Sequence, residues 1–330
     1  MNSSATPLPS RALRRVFAQR EVGAPPIRKR GYAGGLYKGH DSPQFDRIGG
    51  AVLRRPLDGM RIWMSPMTEG RAKRVARAMN AALERCLSLR LIRTGHAHPS
   101  RTGMEPSALA ALKAVAGRTM ADELQQYATF SAGRYVVAAG IPGAVVECGV
   151  WRGGCSMLMI LGLLDAGDVS RDVWLYDTFE GMTDPQERDA FLADGIAAEA
   201  MLNRSPKSGA TNDEWTVWCV ADEADVTSGL HETGYPMERV RLIRGPVEQT
   251  LAANLPDRIA IARLDTDWYS STKTELELLY DRISPGGVLI LDDYDDWAGA
   301  RDAVDEFFAD RGQSPFLIRA GFGRVHIKNT

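Results

Sequence analysis

Residues 144–159 read AVVECGVWRGGCSMLM, and no other stretch limits the fold as much. Ala144, Val145 and Val146 form a short apolar run after Pro142-Gly143, the pattern of a buried strand entered through a turn. Glu147 follows, then Gly149, Gly153 and Gly154, then an apolar helical run from Met157. The order is strand, glycine loop, helix, with an acid at the strand end. Glycines let the backbone turn tightly and leave room for a ligand against the main chain. The N–H groups opening the helix are expected to face that ligand.

The rest of the chain from Pro106 alternates in the same way. Helices are expected over 108–116 and 122–139, before the first strand. Further strands are expected over 173–176, 240–243, 259–264 and 288–291, with helices over 186–201, 223–232, 271–282 and 300–310 between and after them. Pro285-Gly286-Gly287 stops the helix before the fifth strand, and 215–220 is ambiguous. Two last strands, 316–319 and 324–327, flank Gly321 and Gly323. Apolar strands alternating with helices predict a doubly wound, mostly parallel α/β sheet, covered on both faces. With the tail strands it has seven strands and ends in an antiparallel hairpin, and helices precede the first strand.

In such sheets ligands bind beyond the carboxyl ends of the strands. The expected strands end in Glu147 and Gly149, in Asp177, in Gly245, in Asp265 and Asp267, and in Asp292 and Asp293. The glycine loop lacks the Gly-Lys-Ser/Thr of a phosphate cradle and the G-x-G-x-x-G of a dinucleotide site. An acid ahead of the glycines suits a cation with donor groups, such as the sulfonium and ammonium of S-adenosylmethionine. A tight strand–helix turn without a ligand is the plainer alternative. Asp177 is placed to accept from both ribose hydroxyls of a nucleoside, or else to serve a turn. Asp265, Asp292 and Asp293 converge with no Lys in the motif. Three such carboxylates would repel one another unless a cation held them, and hard oxygen donors suit Mg²⁺, Mn²⁺ or Ca²⁺. Asp267, just past the strand end, either faces a substrate beside that ion or caps the next helix.

Charge is unevenly spread. Residues 1–100 hold 19 Lys and Arg against 6 Asp and Glu, although the whole chain carries a formal charge of only −2. Residues 1–60 read as a basic, largely disordered arm rich in Pro, Gly, Ser and Arg. Residues 61–105 supply a helix over 71–93 and a linker holding His96 and His98, a pair read as solvated and not as a metal site. The arm packs on an acidic body, its own or a neighbour's, or contacts nucleic acid or anionic lipid. Neither a membrane span nor a signal peptide is evident, which predicts a cytoplasmic protein. Cys86, Cys148, Cys155 and Cys219 lack zinc or C-x-x-C spacing and are expected as free thiols.

Four segments together resemble the macrocin O-methyltransferase family: VECGVWRGG (146–154), YDTFEGM (176–182), RLDTDWYSST (263–272) and LDDYDDWAGAR (291–301). GRTM (117–120) adds to the match, and the resemblance spans 106–330. It implies a class I methyltransferase fold using S-adenosylmethionine and a divalent metal, Mg²⁺ or Mn²⁺. It implies that Glu147, Gly149, Gly153 and Asp177, with Gly245 and Met120 beside them, hold the cofactor. Asp265, Asp292 and Asp293 would hold the metal, and Asp267 would be the general base. The acceptor would be a small molecule or glycosylated compound presenting two neighbouring hydroxyls, most simply a sugar, and the protein a homo-oligomer. Thr266 and Trp268 depart from residues common in the family, which bears on the floor of the acceptor pocket. A catechol acceptor offers the same two oxygens, and Trp268 or Tyr294 could stack on either ring. Asp265-Thr266-Asp267 also matches the D-x-D of metal-dependent glycosyltransferases, and a non-catalytic scaffold is the third alternative.

Overall fold

The computed structural model describes residues 101–205, 207 and 216–329, of which those from Gly103 on belong to one compact unit. The expected arm over 1–60, the helix over 71–93 and the His96–His98 pair lie outside the described residues.

Five short runs rich in Val, Ile and Leu become parallel strands: β1 Ala144–Cys148, β2 Val173–Asp177, β3 Val240–Arg244, β4 Ile259–Leu264 and β5 Ile283–Leu291. Two more, β6 Ile318–Ala320 and β7 Gly323–Ile327, form the closing hairpin, with β7 antiparallel to β5. The strand order is β3-β2-β1-β4-β5-β7-β6. The chain winds outward from β1 in one direction and then crosses back to β4. That reversal opens a crevice above the carboxyl ends of β1 and β4.

Side chains of a strand alternate between faces. Val145 therefore packs with helices α1 Pro106–Ala114, α2 Glu123–Ala138, α3 Gly154–Asp165 and α5 Glu223–Glu232. Val146 packs with α6 Val247–Thr250, α7 Tyr269–Leu279 and α8 Ala298–Asp310 on the opposite face. Helix α4 Ala198–Arg204 joins a smaller cluster with Trp268 and Trp297. Helix α3 is buried from Gly154 to Leu164 because α2 covers its outer side. The two helices touch backbone to backbone: a Cβ on Gly162 would come within 2.2 Å of the Phe130 carbonyl. Burying each Leu or Ile of α3 contributes about 1.5–3 kcal/mol. Asp122 starts α2 with a capping box shared with Gln125.

Two local expectations fail. The run 186–201 is a helix only from Ala198. Upstream, Ala190 and Phe191 form isolated bridges to Ala197 and Trp297. The fully buried Asp189 carboxylate accepts from the Gln186 and Tyr269 N–H groups at 2.7 and 2.8 Å, tying this segment to α7. A tertiary bond here overrides helical propensity. The fifth strand starts at Ile283, not Val288. Ile259 pairs with Ile283 and Ile261 with Val288, so residues 284–287 bulge out and take up the proline and glycines. Among the described residues no helix is long and apolar enough to cross a membrane, and Cys148, Cys155 and Cys219 are free thiols.

Candidate active site

The glycine loop is held from within. Gly149 has φ 79°, and a Cβ there would come within 1.8 Å of the Asp265 carbonyl. Glycine is needed there so that the ends of β1 and β4 can meet. Asp177 Oδ2 accepts from the Val150 and Trp151 N–H groups at 2.6 and 3.0 Å, and Oδ1 from Phe179 N–H at 2.7 Å. Gly153, in left-handed backbone, caps α3, and the Gly154 N–H donates to the Arg118 carbonyl. The Gly245 N–H donates to the Asp177 carbonyl. The loop amides expected to face a ligand are thus largely engaged by the protein. Asp177 clamps the loop, with any ribose contact left to its remaining lone pairs. Segment 117–120 docks here through Arg118, whose guanidinium pairs with Asp225, and Met120 beside it stands exposed.

Glu147 lies deeper than expected. It is fully buried within β1, directly opposite Arg263 of β4, whose Nη1 donates to its Oε1 at 2.8 Å. Ser156 donates to its other oxygen. Burial raises its carboxyl to about 7, opposed by the Arg263 charge. Its place is beneath the site, supporting Arg263, rather than on a ligand-facing surface.

The acid cluster gathers as the strand ends predict. Asp265, Asp292 and Asp293 each offer an oxygen, and these atoms lie within 4.8 Å of one another. Arg263, buried to 1 % exposure, donates through Nη1 to Asp265 and through Nη2 to Asp292. Gln125 of α2 donates to the same Asp292 oxygen at 3.1 Å. Asp293 Oδ2 accepts the Asp267 N–H at 2.9 Å. Burial, then the charges of Asp267, Asp265 and Asp292, push Asp293 well above the usual carboxylate range. Burial, followed by the Asp265 charge against a hydrogen bond from Asp293, raises Asp267 to about 7. Asp267 does not cap α7, whose N-cap position is Trp268.

The residues fit a divalent cation, though not for the whole reason the sequence suggests. Repulsion is partly relieved by Arg263, an internal cation that a search for Lys passes over. One guanidinium still faces Glu147, Asp265 and Asp292, with Asp267 and Asp293 beside them. The donors are hard oxygens, as Mg²⁺ or Mn²⁺ prefers.

Backbone strain marks the same edge. Trp151, Phe179, Cys219 and Asp267 are the non-glycine residues with positive φ among the described residues. The first two lie in the loops after β1 and β2, and Asp267 follows β4. Cys219 is close enough that, after burial, the charges of Asp267, Asp265, Asp177 and Asp293 hold its thiol un-ionised. Such conformations cost about 1–3 kcal/mol each and collect at functional sites. Of the ambiguous stretch 215–220, residues 216–220 are described, and within them the Trp218 carbonyl accepts the Met182 N–H of the loop after β2.

Other expected contacts fall elsewhere. Trp268 is 1 % exposed, packed edge-on against Trp297, with its indole N–H on the Thr183 carbonyl at 3.0 Å. It supports the loop after β2 and cannot stack on an acceptor. The Tyr294 ring lies between Arg301 and Arg324, and its hydroxyl donates to Asp305. Arg263 and Gln125 are the site residues that motif reading missed. A lone Arg in the apolar strand IAIARL was the available signal for the first; the second, distant in sequence, had none.

The family model for macrocin-O-methyltransferase (TylF) matches residues 101–319. The 8-demethyl-8-(2,3-dimethoxy-alpha-L-rhamnosyl)-tetracenomycin-C 4'-O-methyltransferase of Streptomyces olivaceus is 38 % identical over 172 residues, 52 % of this chain and 60 % of that protein. The demethyldecarbamoylnovobiocin O-methyltransferase of Streptomyces niveus is 37 % identical over 175 residues, 53 % of this chain and 61 % of that one. The alignments thus span about three fifths of each relative's length. The solved O-methyltransferase NovP superposes with a TM-score of 0.55 at 32 % identity, covering 64 % of this chain and 83 % of its own. The family model covers well over half of the chain, and this chain belongs to the macrocin O-methyltransferase family.

Proposed function

We propose that the chain transfers a methyl group from S-adenosylmethionine to a sugar hydroxyl of a glycosylated small molecule. The observation carrying this reading is the adjacency of two structures at one sheet edge. One is a glycine loop tied down by Asp177; the other is a carboxylate cluster with more negative charge than Arg263 offsets. They meet where Gly149 packs on Asp265.

The residues divide the work. The loop 149–153, with Asp177, Gly245 and the exposed Met120 around it, would cradle the cofactor. Asp265, Asp292 and Asp293 would hold a divalent ion, best Mg²⁺ or Mn²⁺. When bound, the cofactor supplies an electrophilic methyl group and the ion stabilises negative charge growing on a hydroxyl oxygen. Asp267 accepts the hydroxyl proton. It stands just past the β4 end, joined to Asp293, where a carboxylate could reach a hydroxyl held beside the ion. The hydrogen bond from the Asp267 N–H to Asp293 fixes the base against the ion ligands, so proton acceptor and charge stabiliser keep one geometry. Trp268 and Asp189 anchor the loop after β2 that walls the acceptor side.

Sugar acceptors are favoured by the relatives, since one is named for 4'-O-methylation of a 2,3-dimethoxy-rhamnosyl group. That acceptor presents adjacent oxygens, the feature two open positions on an ion would use. The test is calorimetric binding of S-adenosylmethionine, followed by turnover on a panel of glycosides scored by the mass of one added methyl group. Turnover should vanish in EDTA and return with Mg²⁺ or Mn²⁺. Full activity in EDTA would remove the ion from the scheme.

A further inference from the structure

Among the described residues, Arg263 is the one fully buried cation that touches both Asp265 and Asp292. It is also the one charged residue of the otherwise apolar strand β4. Its two Nη groups reach three carboxylates: Glu147 below, Asp265 and Asp292 above. The bonds fall on single, identified oxygens. Nη1 takes Asp265 Oδ2, and Nη2 takes Asp292 Oδ1, which also accepts from Gln125. The third acid is treated alike, because its Oδ2 accepts the Asp267 N–H. Each candidate ion ligand therefore has one oxygen committed to the protein.

We propose that Arg263 sets which ion the cluster accepts, by holding one oxygen each of Asp265 and Asp292 and so denying a large cation a two-oxygen grip on either. The proposal rests on the divalent-ion reading above and goes beyond it by assigning the ion preference to one residue. The physical reason is coordination number. Mg²⁺ takes six oxygens at about 2.0–2.1 Å and keeps several waters, so three single oxygens suit it. Ca²⁺ takes six to eight at about 2.3–2.6 Å and commonly fills its shell with two-oxygen carboxylates. An ion drawn onto the committed oxygens would also sit against the guanidinium and meet like charge. Arg263 is thus a positioning residue, acting through Asp265 and Asp292. Glu147 and Ser156 fix it from beneath, which gives the buried Glu147 a purpose that cofactor contact does not.

The experiment uses the full chain without methyl donor. Free Mn²⁺ is titrated by electron paramagnetic resonance, and bound Mn²⁺ is then displaced with Mg²⁺ and with Ca²⁺. The variants are Arg263→Met and the double variant Glu147→Gln with Arg263→Met, which does not leave Glu147 as a fully buried carboxylate stripped of its counter-charge. Freed of the guanidinium, the ratio of Ca²⁺ to Mg²⁺ affinity should rise about tenfold or more, the scale on which groups behind metal ligands act. A bound variant with an unchanged ratio overturns the proposal and leaves the ion site standing. No Mn²⁺ binding to the unaltered chain overturns the ion reading and this proposal with it. A crystal structure of the unaltered chain soaked in Ca²⁺ decides the point without any variant. Single-oxygen contacts from Asp265 and Asp292 support the assignment, and a two-oxygen contact from either overturns it.

Discussion

The two halves of the carboxyl edge are built on opposite principles. At β1 and β2 one carboxylate, Asp177, meets three backbone N–H groups, and the loop around it is satisfied by its own chain. At β4 and β5, Asp265, Asp292 and Asp293 face one guanidinium, one side-chain amide and one backbone N–H. In the first half the Asp177 carboxylate and the N–H groups it faces match one another, and the Trp151 indole N–H is the buried group there left without a partner. The second half is left with surplus negative charge in a buried place, which costs stability unless a cation or protons join it. Under the proposed function the two halves do different work, the first giving shape and the second chemistry. Glu147 and Arg263 join the two, a cross-strand pair running beneath both.

That division can be broken by substitution. The largest effect is expected for Asp267→Asn in the unmatched half: turnover should fall about 10²–10⁴-fold, the usual contribution of a general base. Cofactor binding, read by calorimetry, should hold. Unimpaired turnover would take the chemistry away from this half. Next comes Asp177→Asn in the matched half. The amide turns an N–H toward a backbone N–H, so at least one charge-assisted bond is lost, lowering stability by about 1–3 kcal/mol. A thermal melt should show the drop, together with weaker cofactor binding; an unmoved melt would mean the loop does not depend on Asp177. The smallest effect is expected for Trp268→Phe, which keeps the packing on Trp297 but removes the bond to the Thr183 carbonyl. About 0.5–1.5 kcal/mol should be lost in a denaturant titration. Acceptor KM should change more than turnover if the loop after β2 walls the acceptor side, and unchanged kinetics would move that wall elsewhere.

The sequence by itself determined the order of the strands and of the longer helices, though not the short α6, because buried parallel strands are short apolar runs and β4, for one, is read to its last residue. It also determined which acids reach the rim, since Asp177, Asp265, Asp292 and Asp293 each close or follow a strand. Tertiary structure alone decided what those acids meet. Gly149 is also the contact between two strand ends, a distance no single segment encodes. Trp268 looked like a stacking surface and is buried under Trp297, from a helix that begins about thirty residues further on. Residues 186–201 carried helical propensity, yet the Asp189 carboxylate bonded the α7 amide instead. Local pattern reports which face of an element is apolar and where the element stops. Charge balance depends on partners brought together from distant segments, and so what the lone Arg263 of an apolar strand is for, and that Gln125 joins the acid cluster at all, became visible only once the sheet was assembled.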